Sequence, residues 1–143
     1  MLYTCRIIII MNASQKSTIL IAFNNHFTEF IDDVQTIFPT DVDILTAKNS
    51  LQLIRKSNPK LVVGVWDKFI VGNYGNEIEQ GNIDFFINKD YSGDLNGAEN
   101  GNKILDSINR LRTSIKNMND DNKQKTVKYI QNLTKLSVVY HQN

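Results

Sequence analysis

Residues 58–71 constrain the chain more than any other stretch. Asn58, Pro59 and Lys60 lead into Leu61, Val62, Val63, Gly64, Val65, Trp66, Asp67, Lys68, Phe69, Ile70 and Val71. On a helix this run puts apolar side chains round most of the circumference, and such a helix has to be surrounded by others. Asn58 is suited to cap it and Pro59 to fill its first position, where the missing N–H costs nothing. The β-branched run keeps a buried strand as the alternative. Trp66, the chain's one tryptophan, is expected to fill volume at the centre of a helical core.

The flanking segments have the spacing of amphipathic helices. Phe23, Phe27, Phe30, Val34 and Ile37 recur at steps of four and three, widened by Leu20, Ile31 and Phe38, which predicts a helix over 18–38 capped by Ser17 or Thr18 and ended by Pro39. Thr40-Asp41-Val42-Asp43 offers the N-terminus of a second helix reaching Lys56, with Val42, Ile44, Leu45, Leu51 and Ile54 as its apolar positions. Arg55 and Lys56 in its last turn suit the helix dipole. After Val71, Gly72-Asn73-Tyr74-Gly75 is expected to interrupt the third helix, with one further turn over 76–80. Asn82 can then cap a short helix carrying Ile83, Phe85, Phe86 and Ile87.

Residues 88–102 read as the longest irregular segment. Helical spacing returns at Lys103 through Ile104, Ile108, Leu111, Ile115 and Met118. Asn119-Asp120-Asp121 closes that helix and opens the last, whose apolar face is Val127, Ile130, Leu133, Leu136, Val139 and Tyr140. The short link predicts an antiparallel pair. The expected fold is all-α: a single compact domain of five or six helices, with the third central and a C-terminal antiparallel helical hairpin closing one side.

A chain of 143 residues and 16.4 kDa with 41% apolar residues buries a core without disulfides or metals. The net charge of +1 provides no overall field for holding nucleic acid or anionic lipid, so such a role would need a local patch. Cys5 is alone, which excludes an internal disulfide and a zinc site built on cysteines. Residues 1–11 differ from the rest. Ile7 to Ile10 are too few to span a bilayer, and the basic start and cleavage site of a signal peptide are missing. The expectation is a leader outside the domain, with translation starting at Met11 or the leader forming a disordered tail, and a single domain over 12–143. A short membrane anchor is the competing reading of the leader; no membrane partner is expected.

Three groups of residues are candidates for chemistry. Counted as a twelve-residue calcium loop, 88–99 puts oxygen side chains at Asn88, Asp90, Ser92, Asp94, Asn96 and Glu99, with Gly93 at the sharp turn and Leu95 at position eight. Against this, Asn88 replaces the usual first Asp, and Asn100-Gly101-Asn102 is expected to interrupt the exiting helix; the competing reading is a solvated polar loop. Arg110, Arg112, Lys116, Lys123, Lys125, Lys128 and Lys135 make the last forty or so residues the most positive portion, several able to share one face and touch phosphates, or to form an ordinary solvated surface. His26 with Glu29, and the pairs Asp32/Asp33, Asp41/Asp43 and Glu77/Glu79, have the composition of acid–base or metal sites, yet no second ligand or partner motif follows at matching spacing. They read instead as helix caps and solvent-facing groups. His141 lies in a tail expected to fray.

Phe23-Asn24-Asn25-His26-Phe27-Thr28-Glu29-Phe30, Asn58-Pro59-Lys60, Ile83-Asp84-Phe85-Phe86 with Lys89-Asp90-Tyr91, and Tyr129-Ile130-Gln131-Asn132-Leu133-Thr134-Lys135-Leu136-Ser137 together resemble a small uncharacterised family encoded by giant, nucleocytoplasmic large double-stranded DNA viruses of protists and algae. The resemblance covers residues 12–140. It implies a viral protein in an infected eukaryotic cell, in the cytoplasm or viral factory or in the virion, and carries over no catalytic residue. The resulting expectation is a non-enzymatic interaction or structural protein, without a cofactor unless the 88–99 loop takes calcium, that meets a viral or host protein or a second copy of itself through a helical surface. Exposed apolar area on the 23–38 or 127–140 helices would favour that reading. The alternative is a nucleic-acid-binding accessory protein of viral replication or transcription, using the basic C-terminal hairpin.

Overall fold

The computed structural model describes residues 13–88 and 99–142, giving the backbone alone for 99–102. Its elements are α1 (Ala13–Ile37), α2 (Val42–Ser57), α3 (Leu61–Val65), a π-helical segment (Trp66–Val71), α4 (Gly72–Glu79), α5 (Asp84–Asn88), α6 (Glu99–Lys116) and α7 (Asp120–His141). Among the described residues there is no strand. The segments α3, π and α4 join without leaving right-handed helical geometry, so the described residues form six helical rods.

Local chemistry sets most of the ends. The Asp41 side chain accepts from the Asp43 N–H at 2.9 Å and starts α2. Asn119 accepts from the Asn122 N–H at 2.8 Å and starts α7. Asn82 accepts from the Asp84 N–H at 3.0 Å ahead of α5. Each satisfies an N–H that the first helical turn leaves without a partner. Asn58 plays two parts: its N–H closes α2 on the Ile54 carbonyl, and its side chain accepts from the Lys60 N–H at 3.3 Å. The Pro59–Lys60 turn thus precedes α3, which starts at Leu61 rather than at Pro59.

Other boundaries differ from expectation. α1 begins well before Thr18, and Thr18 Oγ1 bonds back to the Ser14 carbonyl inside the helix instead of capping it. The added turn has a neighbour, because Lys16 Nζ sits 4.9 Å from the Tyr140 ring centroid. Gly72 and Gly75 do not interrupt the central rod. The stop comes at Gly81, which takes φ +79°, where the Gly81 N–H reaches the Ile78 carbonyl and the Asn82 N–H the Glu77 carbonyl. That pair of bonds is the Schellman ending, and its left-handed residue is where glycine is needed. Asn100, Gly101 and Asn102 likewise lie within α6, which starts at Glu99 rather than Lys103.

The central rod lies inside the others. α3 meets α1, α2 and α6, while the π segment and α4 lie on α7. Trp66 is 1% exposed. Its ring stands edge-on to Phe27 (5.6 Å, 89°) and Phe23 (6.3 Å, 68°), and its indole N–H donates to Thr134 Oγ1 at 3.1 Å. The tryptophan thus buries its ring without orphaning its one polar group. α1 and α7 run antiparallel, as Tyr129 bonds Asp33 while Lys16 reaches Tyr140. α2 is antiparallel to α1, with Lys48 on Asp32 and Arg55 on Asn25. α6 and α7, joined by the short turn at 117–119, pack mainly on α2 and α1 respectively and less on each other; the Thr126 hydroxyl against Met118 Sδ marks where they meet.

Candidate interaction surface

Successive helical residues are turned by about 100°, and on α2 this sorts the apolar side chains into two opposite sets. Ile44, Ala47, Leu51 and Ile54 point into the core. Val42, Leu45, Asn49, Leu53 and Lys56 form a row on the far side. Of these, Val42 is 72% exposed, Leu45 47% and Leu53 69%. Single exposed hydrophobes are common, but a row of them along one helix is the usual mark of a contact surface.

The row is held on both flanks. Toward α1, Lys48 Nζ lies 2.9 Å from Asp32 Oδ1 and 2.9 Å from Gln35 Oε1. Arg55 donates to Asn25 Oδ1 at 2.6 Å and Thr28 Oγ1 at 3.2 Å. Toward α6, Arg110 bridges Asp43 at 2.6 Å and Asp106 at 3.0 Å, and Ser114 Oγ donates to Asp41 Oδ2 at 2.7 Å. The hydrogen bond to Asp106, with its charge, holds the Arg110 guanidinium pKa above its usual value, Asp43 adding to it. These ties fix the rotation of α2, so its outer face is presented in one orientation. An open depression beside Leu53, lined also by Thr28, Asn49, Gln52, Arg55 and Lys56, continues the row toward α1. Ile21, 54% exposed, lies one turn before Asn25 on α1.

The two helix faces on which exposed apolar area would have favoured an interaction role are largely covered. Phe23, Phe27, Phe30, Ile31 and Val34 of α1 are buried, as are Val127, Ile130, Leu133 and Tyr140 of α7. The bare row is on α2 instead. The signal lay in its spacing: Val42, Leu45 and Leu53 fall opposite the Ile44, Ala47, Leu51, Ile54 set, so pooling Val42 and Leu45 with Ile44 merged two faces into one.

The other candidates separate. Of the calcium-like set, Asn88 ends α5 and the Glu99 backbone opens α6, while Asp90, Ser92, Asp94 and Asn96 lie outside the described residues, as does the leader through residue 12. Of the basic set, Arg110 is engaged as above, and Arg112 donates to the Ile87 carbonyl at 2.9 Å and to Asn109 at 3.0 Å, tying α6 to α5. Lys116 is exposed on the last turn of α6 and Lys123 half-buried on α7. Lys125, Lys128 and Lys135 are exposed and share the outer face of α7 opposite Ile130 and Leu133.

His26 is half-buried against α7, its Nδ1 3.5 Å from Glu29 and its ring 4.9 Å from that of Tyr129, while its buried Nε2 has no hydrogen-bond partner among the described residues. The Tyr129 hydroxyl donates to Asp33; burial, then that bond and charge, push its pKa well above the usual tyrosine range. His141 Nδ1 lies 2.8 Å from the Ser137 carbonyl, so it is the protonated nitrogen, and 3.8 Å from Asp67. Asp32, Asp33, Asp41 and Asp43 are thus engaged in ties between helices. Among the described residues no three His, Cys, Asp or Glu side chains converge as a metal site, and no helix is long and apolar enough to cross a membrane.

No family model, curated protein or solved structure matches this chain.

Proposed function

We propose that this chain is a non-enzymatic interaction protein that works through the outer face of α2, in assembly or in binding another protein. The observation carrying the reading is the row Val42, Leu45, Leu53, left bare on a helix whose other sides are tied to α1 and α6. A largely apolar row that is rotationally fixed binds with little ordering cost, since the backbone that carries it is already in place. The family resemblance supplies the setting proposed for it, an infected eukaryotic cell, with a viral or host protein as partner. The test is affinity capture from cells that make the protein, with nuclease present, comparing wild type with Leu53→Asp. A stoichiometric protein recovered with wild type and lost with Leu53→Asp is the expected result; recovery indifferent to Leu53 overturns the reading.

The second reading, nucleic-acid binding, is favoured by the exposed row Lys125, Lys128 and Lys135 on α7. Its basis narrows to these lysines with Lys116 and Lys123, because Arg110 and Arg112 are engaged within the fold. Its test is titration of a labelled oligonucleotide at several salt concentrations. Phosphate-bound lysines make the affinity fall with salt, and neutralising each reduces the log–log slope by about one.

A further inference from the structure

We propose that the outer face of α2 pairs with the same face of a second copy of this chain, the two helices antiparallel about a two-fold axis passing at Asn49. The proposal rests on the reading of α2 as an interaction surface and specifies the partner. Its basis is that the row is symmetric about Asn49. Leu45 and Leu53 lie four residues to either side of Asn49, and Val42 and Lys56 lie seven residues to either side. In helical rise these offsets are about 6 Å and about 10 Å.

An isologous two-fold contact requires that when residue i meets residue j, j meets i. Antiparallel pairing about Asn49 meets that condition at each position of the row. Leu45 packs on the partner's Leu53, and Leu53 on the partner's Leu45. Asn49 faces its own copy, and each amide offers both a donor and an acceptor, so the two satisfy each other reciprocally. An Asn between two leucines of a helix seam also fixes register. Val42 lies against the aliphatic stem of the partner's Lys56, whose ammonium remains in solvent.

Charge selects the same orientation. α2 carries Asp43 in its first turn, after the Asp41 cap, and Arg55 and Lys56 in its last. Among the described residues, the hydrogen-bond acceptors of Arg55 are the neutral side chains of Asn25 and Thr28. Antiparallel pairing brings the basic side chains of each helix toward the acidic side chains of the other and sets the two helix dipoles head to tail, whereas parallel pairing sets like ends together. The row is about 21 Å long, and one helix on one helix over that length belongs with small, transient interfaces. The dimer is therefore expected to depend on protein concentration.

The experiment is sedimentation velocity over a concentration series on the full chain, combined with cysteine cross-linking in a Cys5→Ser background. Reversible dimerisation is expected, weakened roughly tenfold or more by Leu53→Asp, with circular dichroism checking that the variant keeps its helices. On mild oxidation Asn49→Cys should form a disulfide-linked homodimer faster than Lys68→Cys, an exposed position on the central rod. Leu45→Cys and Leu53→Cys should cross-link better when mixed than either alone. A chain that stays monomeric throughout, a dimer indifferent to Leu53→Asp, or equal cross-linking at Asn49 and Lys68 overturns the pairing. If pairing fails while capture of a different protein still depends on Leu53, only the choice of partner is wrong. If nothing depends on Leu53, the interaction reading falls as well.

Discussion

The central rod and α2 are both apolar beyond a single face, yet they end differently. The rod's Val62, Val63, Val65, Trp66 and Ile70 are all buried, because α1, α2, α6 and α7 cover it. α2 is covered over the side carrying Ile44 and Leu51 and bare over the side carrying Leu45 and Leu53. Apolar content alone does not separate the two. The difference lies in whether the chain has another helix left to place on each side.

Five substitutions test this comparison, from the largest expected effect to the smallest. Trp66→Ala removes the side chain at the meeting point of α1, the central rod and α7, and should cost about 3–5 kcal/mol in denaturant unfolding. Ile44→Ala, on the covered side of α2, should cost about 2–5 kcal/mol, while Leu45→Ala, the next residue but on the bare side, should cost far less. Equal costs at 44 and 45 would mean that the outer side is covered in solution even in the monomer. Thr134→Val leaves the Trp66 indole N–H without its acceptor in a buried setting, and should cost about 1–3 kcal/mol. Leu53→Asp should change monomer stability by no more than about 0.5 kcal/mol, so any loss of association in that variant reports on the surface and not on the fold.

The sequence made the centre of the fold legible because residues 61–71 are apolar round most of the helix circumference, which enclosure by other helices satisfies. The caps at Asp41, Asn82 and Asn119 were legible because each is an Asx side chain ahead of an apolar spacing, well suited to accept from the first helical N–H groups; Thr18, inside a helix that had already begun, bonds back to Ser14 instead. The glycines were harder. Gly72, Gly75 and Gly81 look alike in sequence, but only at Gly81 does the backbone need positive φ, and that need is set by where Ile83 and α5 must go. The candidate surface was missed for a different reason. Val42 and Leu45 were visible as apolar residues of the second helix, but which of its two apolar sides goes inward depends on α1 and α6, which converge on it from distant parts of the chain. The roles of Arg110 and Arg112 were illegible in the same way, since their partners Asp43 and Ile87 lie far away in sequence.

The π-helical turn has an evolutionary consequence. Between Asp67 and Gly72 the backbone bond spans five residues, the Gly72 N–H reaching the Asp67 carbonyl, so this stretch holds an extra residue relative to an α-helix. It sets the phase between the two halves of the rod. Loss of a single residue there, such as the exposed Lys68, would restore an even α-helical pitch and leave the two halves nearly in phase, because the wide turn absorbs the residue that is lost. The segment is therefore the place in the rod where the chain best tolerates a change in residue number, whereas a residue lost elsewhere in 61–79 would swing everything beyond it by about 100°.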